Sequence, residues 1–363
     1  MSLSAHAPTL VALAVLAGGC GAAPVIGDGG ASDAGAVDVD AGAVSLAGLP
    51  GDAWSFVPVP GAVCGNGSTA AIGVSPHPGA TELLIFMAGG GACWDADTCF
   101  ARSAATHIAE DYTRAMFDEE RAILAAVGWD DRAAAANPFR ASHIVYLPYC
   151  SGDLHAGDSV QSYVPSDPTR RVHHRGAVNT QRYVDAMRAA WPELQQVRVI
   201  GLSAGGYGAQ LNWGRFADAW PDAALSILAD GAPLAQPDAP LYATWRASWN
   251  LFTPAGCTGC ATSFPAYDDH FDAAYPTSRF GLVTTTGDAV LSGYWGVSDF
   301  PVRVNGALDV LDDNATTRYF AVDSDHHVIL GESTTLRGSD GTLLLDWVVG
   351  WFADDTRWHN VRP

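Results

Sequence analysis

One continuous run, Val197 to Ala219, constrains the fold of this chain more than any other feature. Val197–Leu202 is apolar and has the length of a strand, and Ala204–Ala219 reads as a helix. Between them stands Gly201-Leu202-Ser203-Ala204-Gly205. A chain that leaves a strand and enters a helix around one residue needs a very tight turn. Glycines two positions before and two after keep Cβ atoms out of that turn. The same order of elements recurs along the chain. Thr81–Met87 is an apolar run ending at Gly89-Gly90-Gly91, and His143–Leu147 runs out at Tyr149-Cys150. Gly176–Trp191 has helical spacing, with Val178, Tyr183, Met187 and Trp191 roughly on one side. Leu225–Ala229 ends at Asp230, Phe280–Thr285 approaches Asp288, Tyr319–Val322 approaches His326 and His327, and Leu343–Phe352 reads as a closing helix. Strands that alternate with helices predict an α/β fold, a mostly parallel sheet flanked by helices on both faces. Polar residues collect just beyond the strand ends, where open α/β sheets place their ligands.

The rest of the chain sets the boundaries. Leu10 to Ala17 is a short apolar run followed by Gly18-Gly19-Cys20. It is too short to span a bilayer and reads as an export signal over residues 1–19. Small residues before a cysteine match a lipoprotein cleavage site, with Cys20 as the lipidated residue. Residues 20–49 are Ala, Gly, Asp and Val with almost no large side chains and read as a flexible tether. Residues 50–363 are then one domain, long enough for a substantial core. The expected location is the cell envelope, as a bacterial lipoprotein or a secreted or periplasmic protein, in contact with membrane only through a lipid at Cys20. The net charge is −20, from 39 acidic and 19 basic residues, and every basic residue is an arginine. Nucleic acid and anionic membrane both demand a basic surface, so neither is an expected partner. A monomer is expected. Setting Cys20 aside leaves six cysteines, an even number that fits disulfides in an oxidising compartment but allows 15 pairings. Cys257-Thr258-Gly259-Cys260 has metal-ligand spacing without a second pair, so a local disulfide or two free thiols is the better reading, and no metal is expected.

Ser203 is the candidate nucleophile. A serine hydroxyl attacks only when a base takes its proton. The strand–turn–helix setting with glycines on either side is that of an α/β-hydrolase nucleophile, whose partners follow in the order acid, then histidine. His270 lies in an acidic stretch and His359 in the tail, whereas His326 and His327 follow a strand. His327 is the preferred base because Val328-Ile329-Leu330 would bury its backbone and fix the ring; His326 is the alternative. Asp288 is the preferred acid, after the Phe280–Thr285 strand. Asp230 is its rival, with a turn at Asp230-Gly231 as its structural role. Backbone N–H donors for an oxyanion are expected from the run Gly89-Gly90-Gly91 and from Ala204.

Several segments together resemble the pectin acetylesterase and Notum family of carboxylesterases. Phe86-Met87-Ala88-Gly89-Gly90-Gly91-Ala92-Cys93-Trp94 is similar to its oxyanion segment, with Ala88 where a Glu is usual and Ala92 where many members have Trp. Tyr149-Cys150-Ser151-Gly152-Asp153 resembles its Tyr-Cys block, Gly201 to Gly206 its nucleophile segment, and Asp325-His326-His327-Val328 its histidine segment. The resemblance covers most of Cys64 to Leu330. It implies a Ser203–His327–Asp288 triad, an oxyanion hole of Gly90, Gly91 and Ala204, and no cofactor. It also implies pairing of Cys93 with Cys99 and Cys64 with Cys150, which leaves Cys257 with Cys260. The favoured reading is an esterase that deacetylates a carbohydrate. Hydrolysis of longer acyl esters or thioesters, and a non-catalytic binding lipoprotein on the same scaffold, are the alternatives. Asp153, His155 and Trp94 are expected beside the substrate. The cluster Arg170, Arg171, His173, His174 and Arg175 reads either as an anion contact or as a solvated loop. Trp94, Trp213, Trp245, Trp249 and Trp295 read as sugar platforms, an acyl pocket or plain core.

Overall fold

The computed structural model describes residues 44–363. The expected export signal, Cys20 and the expected tether up to residue 43 lie outside the described residues. The described residues form ten strands: β1 (Ser55–Val63), β2 (Thr69–Ser75), β3 (Glu82–Met87), β4 (His143–Leu147), β5 (Ser159–Ser162), β6 (Arg171–His174), β7 (Gln196–Leu202), β8 (Ala224–Asp230), β9 (Arg279–Thr285) and β10 (Thr317–Val322). Eight form one sheet in the order β1-β2-β4-β3-β7-β8-β9-β10, and β5 pairs with β6 in a small separate ribbon. From β4 to β10 every neighbouring pair is parallel, while β1, β2 and β4 pair antiparallel.

The sequence explains the division. Every residue of β4 is buried, as are all but the first of β3 and β9, because helices cover both faces of the parallel part. β1 is an edge strand that carries Pro58 and Pro60, which have no N–H to donate, and an edge tolerates them. Three disulfides join Cys64 to Cys150, Cys93 to Cys99 and Cys257 to Cys260. These are the pairings that the family resemblance implies. The first ties the start of the domain to the loop after β4, across 86 residues. In the chain-entropy account a loop of that length is worth roughly 4 kcal/mol.

Two expectations are corrected. The helix expected over Ala204–Ala219 is two helices, Ala204–Leu211 and Trp213–Ala219. They break at Asn212, whose side-chain amide donates to the carbonyls of Gly208 (2.8 Å) and His155 (3.0 Å). The folded unit also begins before residue 50: Leu46 is buried, and Val44 and Leu49 pack against the core. Composition alone assigns these residues to the tether, but the few large apolar side chains there find a surface to cover.

Candidate active site

Ser203 stands at the end of β7 with φ 55° and ψ −124°, a conformation that L residues rarely adopt. Its surroundings enforce that turn. The Ser203 N–H donates to the Asp230 carbonyl at 2.8 Å, so the end of β8 holds it from one side. A Cβ on Gly205 would lie 2.0 Å from the Met87 carbonyl oxygen at the end of β3, and one on Gly201 would lie 2.1 Å from the Gly205 carbonyl oxygen. The glycines spaced around Ser203 are therefore steric requirements of packing the turn onto β3.

The loop after β10 brings His327 to the serine. His327 Nε2 is 2.7 Å from Ser203 Oγ, and His327 Nδ1 is 2.6 Å from Asp288 Oδ2. Asp288 is fully buried at the end of the loop after β9. Its other oxygen, Oδ1, accepts from the Leu291 N–H at 2.9 Å as the N-cap of the helix Ala289–Trp295. The cap fixes the carboxylate so that Oδ2 is left for the imidazole. His326 points elsewhere: it is exposed, and its Nδ1 lies 2.8 Å from Glu332 Oε1. His359 pairs with Asp340, and His270 lies on the helix Ala266–Ala274.

Asp230 does not reach His327. Its buried carboxylate accepts from the N–H groups of Ile329 (2.9 Å) and Leu330 (2.7 Å), just past the histidine. Burial pushes its pKa up to about 7, against the pull of those two donors. Asp230 is thus a clamp on the histidine loop rather than a cap on its own turn. A strand-end acid was visible in the sequence, but its partners lie some 99 residues away, so this role was not.

The glycine triplet lies alongside. A Cβ on Gly89 would come within 3.0 Å of the Ser203 Cβ. Gly90 and Gly91 have φ 153° and 77°. Their segment is pinned to the loop after Cys99, Thr106 N–H donating to the Gly90 carbonyl (2.9 Å) and Ala92 N–H to the Ala104 carbonyl (3.1 Å). Among the described residues the N–H groups of Gly90, Gly91 and Ala204 meet no backbone acceptor.

The expected substrate contacts are corrected. Asp153 and His155 are buried and fully engaged. Asp153 accepts from Ser151 Oγ (2.6 Å) and the N–H groups of Gly157 (3.1 Å) and Gly176 (2.7 Å). Burial pulls the His155 pKa down, and the neutral ring donates from Nε2 to the Ala88 carbonyl at 2.9 Å, immediately before the triplet. The pair shapes the strand end from behind. Trp94 is buried against Trp245 and Trp249, at centroid distances of 5.7 and 6.4 Å. Trp213 is fully buried too. The arginine and histidine cluster is dispersed. Arg171–His174 is strand β6, the ring of His174 is buried between Tyr163 and the Ser151 carbonyl, Arg170 lies over Phe100 and Arg175 pairs with Asp158. Cys93, Cys99 and His174 lie close enough to hold a metal, but both sulfurs are in a disulfide and neither is a thiolate.

A buried carboxylate, an imidazole and a hydroxyl joined in series, beyond the carboxyl ends of parallel strands, define a protein of the α/β-hydrolase class. The chain belongs to the pectinacetylesterase family, whose model matches residues 55–250. That match takes in the glycine triplet and Ser203 and stops before Asp288 and His327. Curated relatives include the palmitoleoyl-protein carboxylesterase NOTUM of Schmidtea mediterranea, 29% identical over 41% of this chain and 27% of that protein. NOTUM of Drosophila melanogaster is 26% identical over 43% of this chain and 23% of its own length. The palmitoleoyl-protein carboxylesterase notum2 of Xenopus laevis is 24% identical over 42% of this chain and 30% of its own. The matched stretch thus spans less than a third of each relative.

Proposed function

We propose that the protein is an exported serine carboxylesterase that removes acetyl groups from a polysaccharide. The observation that carries the reading is the pair of hydrogen bonds that links Ser203 Oγ to His327 and His327 to Asp288, at 2.7 and 2.6 Å. In the first half-reaction His327 Nε2 takes the Ser203 proton while Oγ attacks the ester carbonyl carbon. The oxyanion that forms is held by the N–H groups of Gly90, Gly91 and Ala204. Its collapse breaks the bond to the sugar oxygen, which leaves with the proton from His327. Water, deprotonated by the same nitrogen, then attacks acetyl-Ser203, and acetate departs as His327 returns that proton to Ser203 Oγ. Asp288 stabilises the imidazolium and fixes its tautomer, so the chain of residues needs no further group. The three disulfides support an oxidising location.

A second reading, an esterase for long acyl chains, is favoured by the names of the relatives, which are palmitoleoyl-protein carboxylesterases. One series of assays separates the two. p-Nitrophenyl esters from acetate to palmitoleate are compared, and acetate release is then measured from acetylated polysaccharides. Preference for acetate supports the first reading and preference for long chains the second. Ser203→Ala is expected to lower kcat by on the order of 10³-fold or more in either case. Activity that survives this substitution would overturn both.

A further inference from the structure

A cavity of about 660 Å³ lies away from Ser203, between the helix Gly176–Ala190, the helix Trp213–Ala219 and the segment that follows Trp249. Its lining includes Arg182, Arg215 and Arg246, together with Asp158, Asp185 and Asn250. Of the sixteen other arginines ten sit within 4 Å of a carboxylate, as Arg198 does on Glu82, Arg279 on Asp354 and Arg303 on Asp238, and six meet backbone carbonyls or a ring instead. The three arginines of the cavity pair with no carboxylate. Among the described residues Arg215 donates only to Asn212 Oδ1 (2.9 Å), and Arg246 donates only to the Cys260 carbonyl (3.2 Å) and Thr253 Oγ1 (3.1 Å). The Nε of Arg182 is buried without a partner. The two wall carboxylates are engaged by other groups, Asp158 by Arg175 and Asp185 by the Gln181 side-chain amide at 2.9 Å.

The guanidiniums are also held in place. Arg215 stacks on the Phe252 ring at 4.0 Å, and burial pulls its pKa down to about 10. Arg182 lies over Gly61, where a Cβ would meet its Cζ at 2.6 Å, so the glycine leaves room for the fork. The three half-buried guanidiniums make no ion pair, only the field of Asp158 reaches Arg215, and the wall keeps three positive charges against the two negative charges of Asp158 and Asp185. Planar forks match oxyanions with two parallel hydrogen bonds. The volume suits a group the size of one or two sugars.

We infer that this cavity is a second binding site, for a ligand that carries an oxyanion. The oxyanion is either a free inorganic anion or a charged group borne on a carbohydrate. The long-range field of the chain opposes an anion, but salt screens that field within about a Debye length, whereas the forks act at contact. One stretch of chain links the cavity to the site of Ser203. Asp158 ends the loop whose His155 holds the Ala88 carbonyl ahead of the glycine triplet.

The test is calorimetric titration of the full chain with inorganic phosphate, with a trimer of a uronic acid and with a neutral sugar trimer of the same length. Phosphate or the uronate trimer binds, the neutral trimer does not, and Kd rises with salt. Binding of phosphate without the uronate trimer assigns the site to a free anion; tighter binding of the uronate trimer assigns it to an acidic carbohydrate. The double variant Arg215→Met/Arg246→Met raises Kd at least about tenfold. Ser203→Ala leaves Kd unchanged, so the result stands whether or not the chain is an esterase. If circular dichroism shows the double variant unfolded, Arg246→Gln alone decides by the same criterion. No binding of either anion at millimolar concentration, or an affinity that survives loss of the arginines, would overturn the inference.

Discussion

Ser203 occupies backbone angles that its own side chain disfavours, and neighbours that cannot grow keep it there. Gly205→Ala would push a methyl group into the Met87 carbonyl, 2.0 Å from its Cβ, with backbone on both sides and no rotamer to yield. A loss of at least about 3 kcal/mol is expected, a drop in Tm of about 4–5 °C. Gly306→Ala is the control: it sits within the helix Phe300–Leu311, and no atom stands within 4 Å of its Cβ position. That variant should gain about 0.5–1 kcal/mol. Equal melting temperatures for the two would contradict the steric argument. The adjacent histidines divide as sharply. His327→Ala should lower kcat by about 10³-fold, because Ser203 loses the base at 2.7 Å. His326→Ala removes only an exposed contact with Glu332 and should stay within a few-fold of the parent. Initial rates on p-nitrophenyl acetate decide, and similar losses in the two would contradict the assignment.

At the scale of elements, the loop from Ser103 to Asp111 is the outer support of the glycine triplet. Two of its residues that are not glycine, Ser103 and His107, have positive φ, at 48° and 55°. His107 anchors it: Nδ1 lies 2.9 Å from Glu110 Oε1 and Nε2 2.5 Å from Glu120 Oε1. Glu120 also accepts from the hydroxyls of Tyr112 and Tyr146. The bond to Glu120, more than burial opposes it, raises the His107 pKa above its ordinary 6.5. A raised histidine pKa adds stability that is fully present below 6.5 and is lost as pH climbs through the folded value. His107→Gln should therefore melt below the parent at pH 6, and the gap should narrow at pH 9. A gap that is constant with pH would show that only packing was lost. Elements of this kind mark where sequence reasoning stops. The parallel strands were legible because each is a short apolar run that ends at glycine or a polar residue. That Ser203, His327 and Asp288 would come together was legible because strand ends order them along the chain. Asp153 and His155 were misread because a polar residue beside a motif looks the same whether it faces a ligand or is buried behind the backbone. The break at Asn212 was hidden for a like reason, since its partner carbonyl at His155 is 57 residues away.

For the whole molecule, the buried titratable groups set the pH of greatest stability. Burial lowers the pKa of His143 and His174 to about 4 and that of His155 as well. The unfolded chain takes up those protons near 6.5, so their contribution is lost as pH falls below that value. Burial raises the pKa of Asp230 to about 7, and that of Asp153 and Asp268 above the ordinary 3.8. The unfolded chain releases those protons first, so stability falls as pH rises from 3.8 to each folded value. Below about 6.5 the two sets oppose each other; between there and about 7 Asp230 and His107 act in one direction. Tm should peak at roughly pH 6–6.5 and decline as pH rises through about 7. Asp268 tests the alkaline side, since its Oδ1 is buried without a partner among the described residues. Asp268→Asn should raise Tm by several degrees at pH 8 and change it little at pH 4. A profile that still rises from pH 7 to 8.5 would refute this account.

The order of the strands also dictates when the site comes into being as the chain is made. β3 and β7 lie side by side mid-sheet, yet more than a hundred residues separate them, and β10, the last strand, takes the edge. The serine and its turn are synthesised well before the imidazole, which arrives only with the loop after β10. A ribosome that stalled at residue 316, or a protease that clipped there, would leave a hydroxyl without its hydrogen-bond partner however well the earlier strands had folded. The arrangement ties the two residues to the closing of the sheet: Ser203 cannot meet His327 until β10 has been laid along β9.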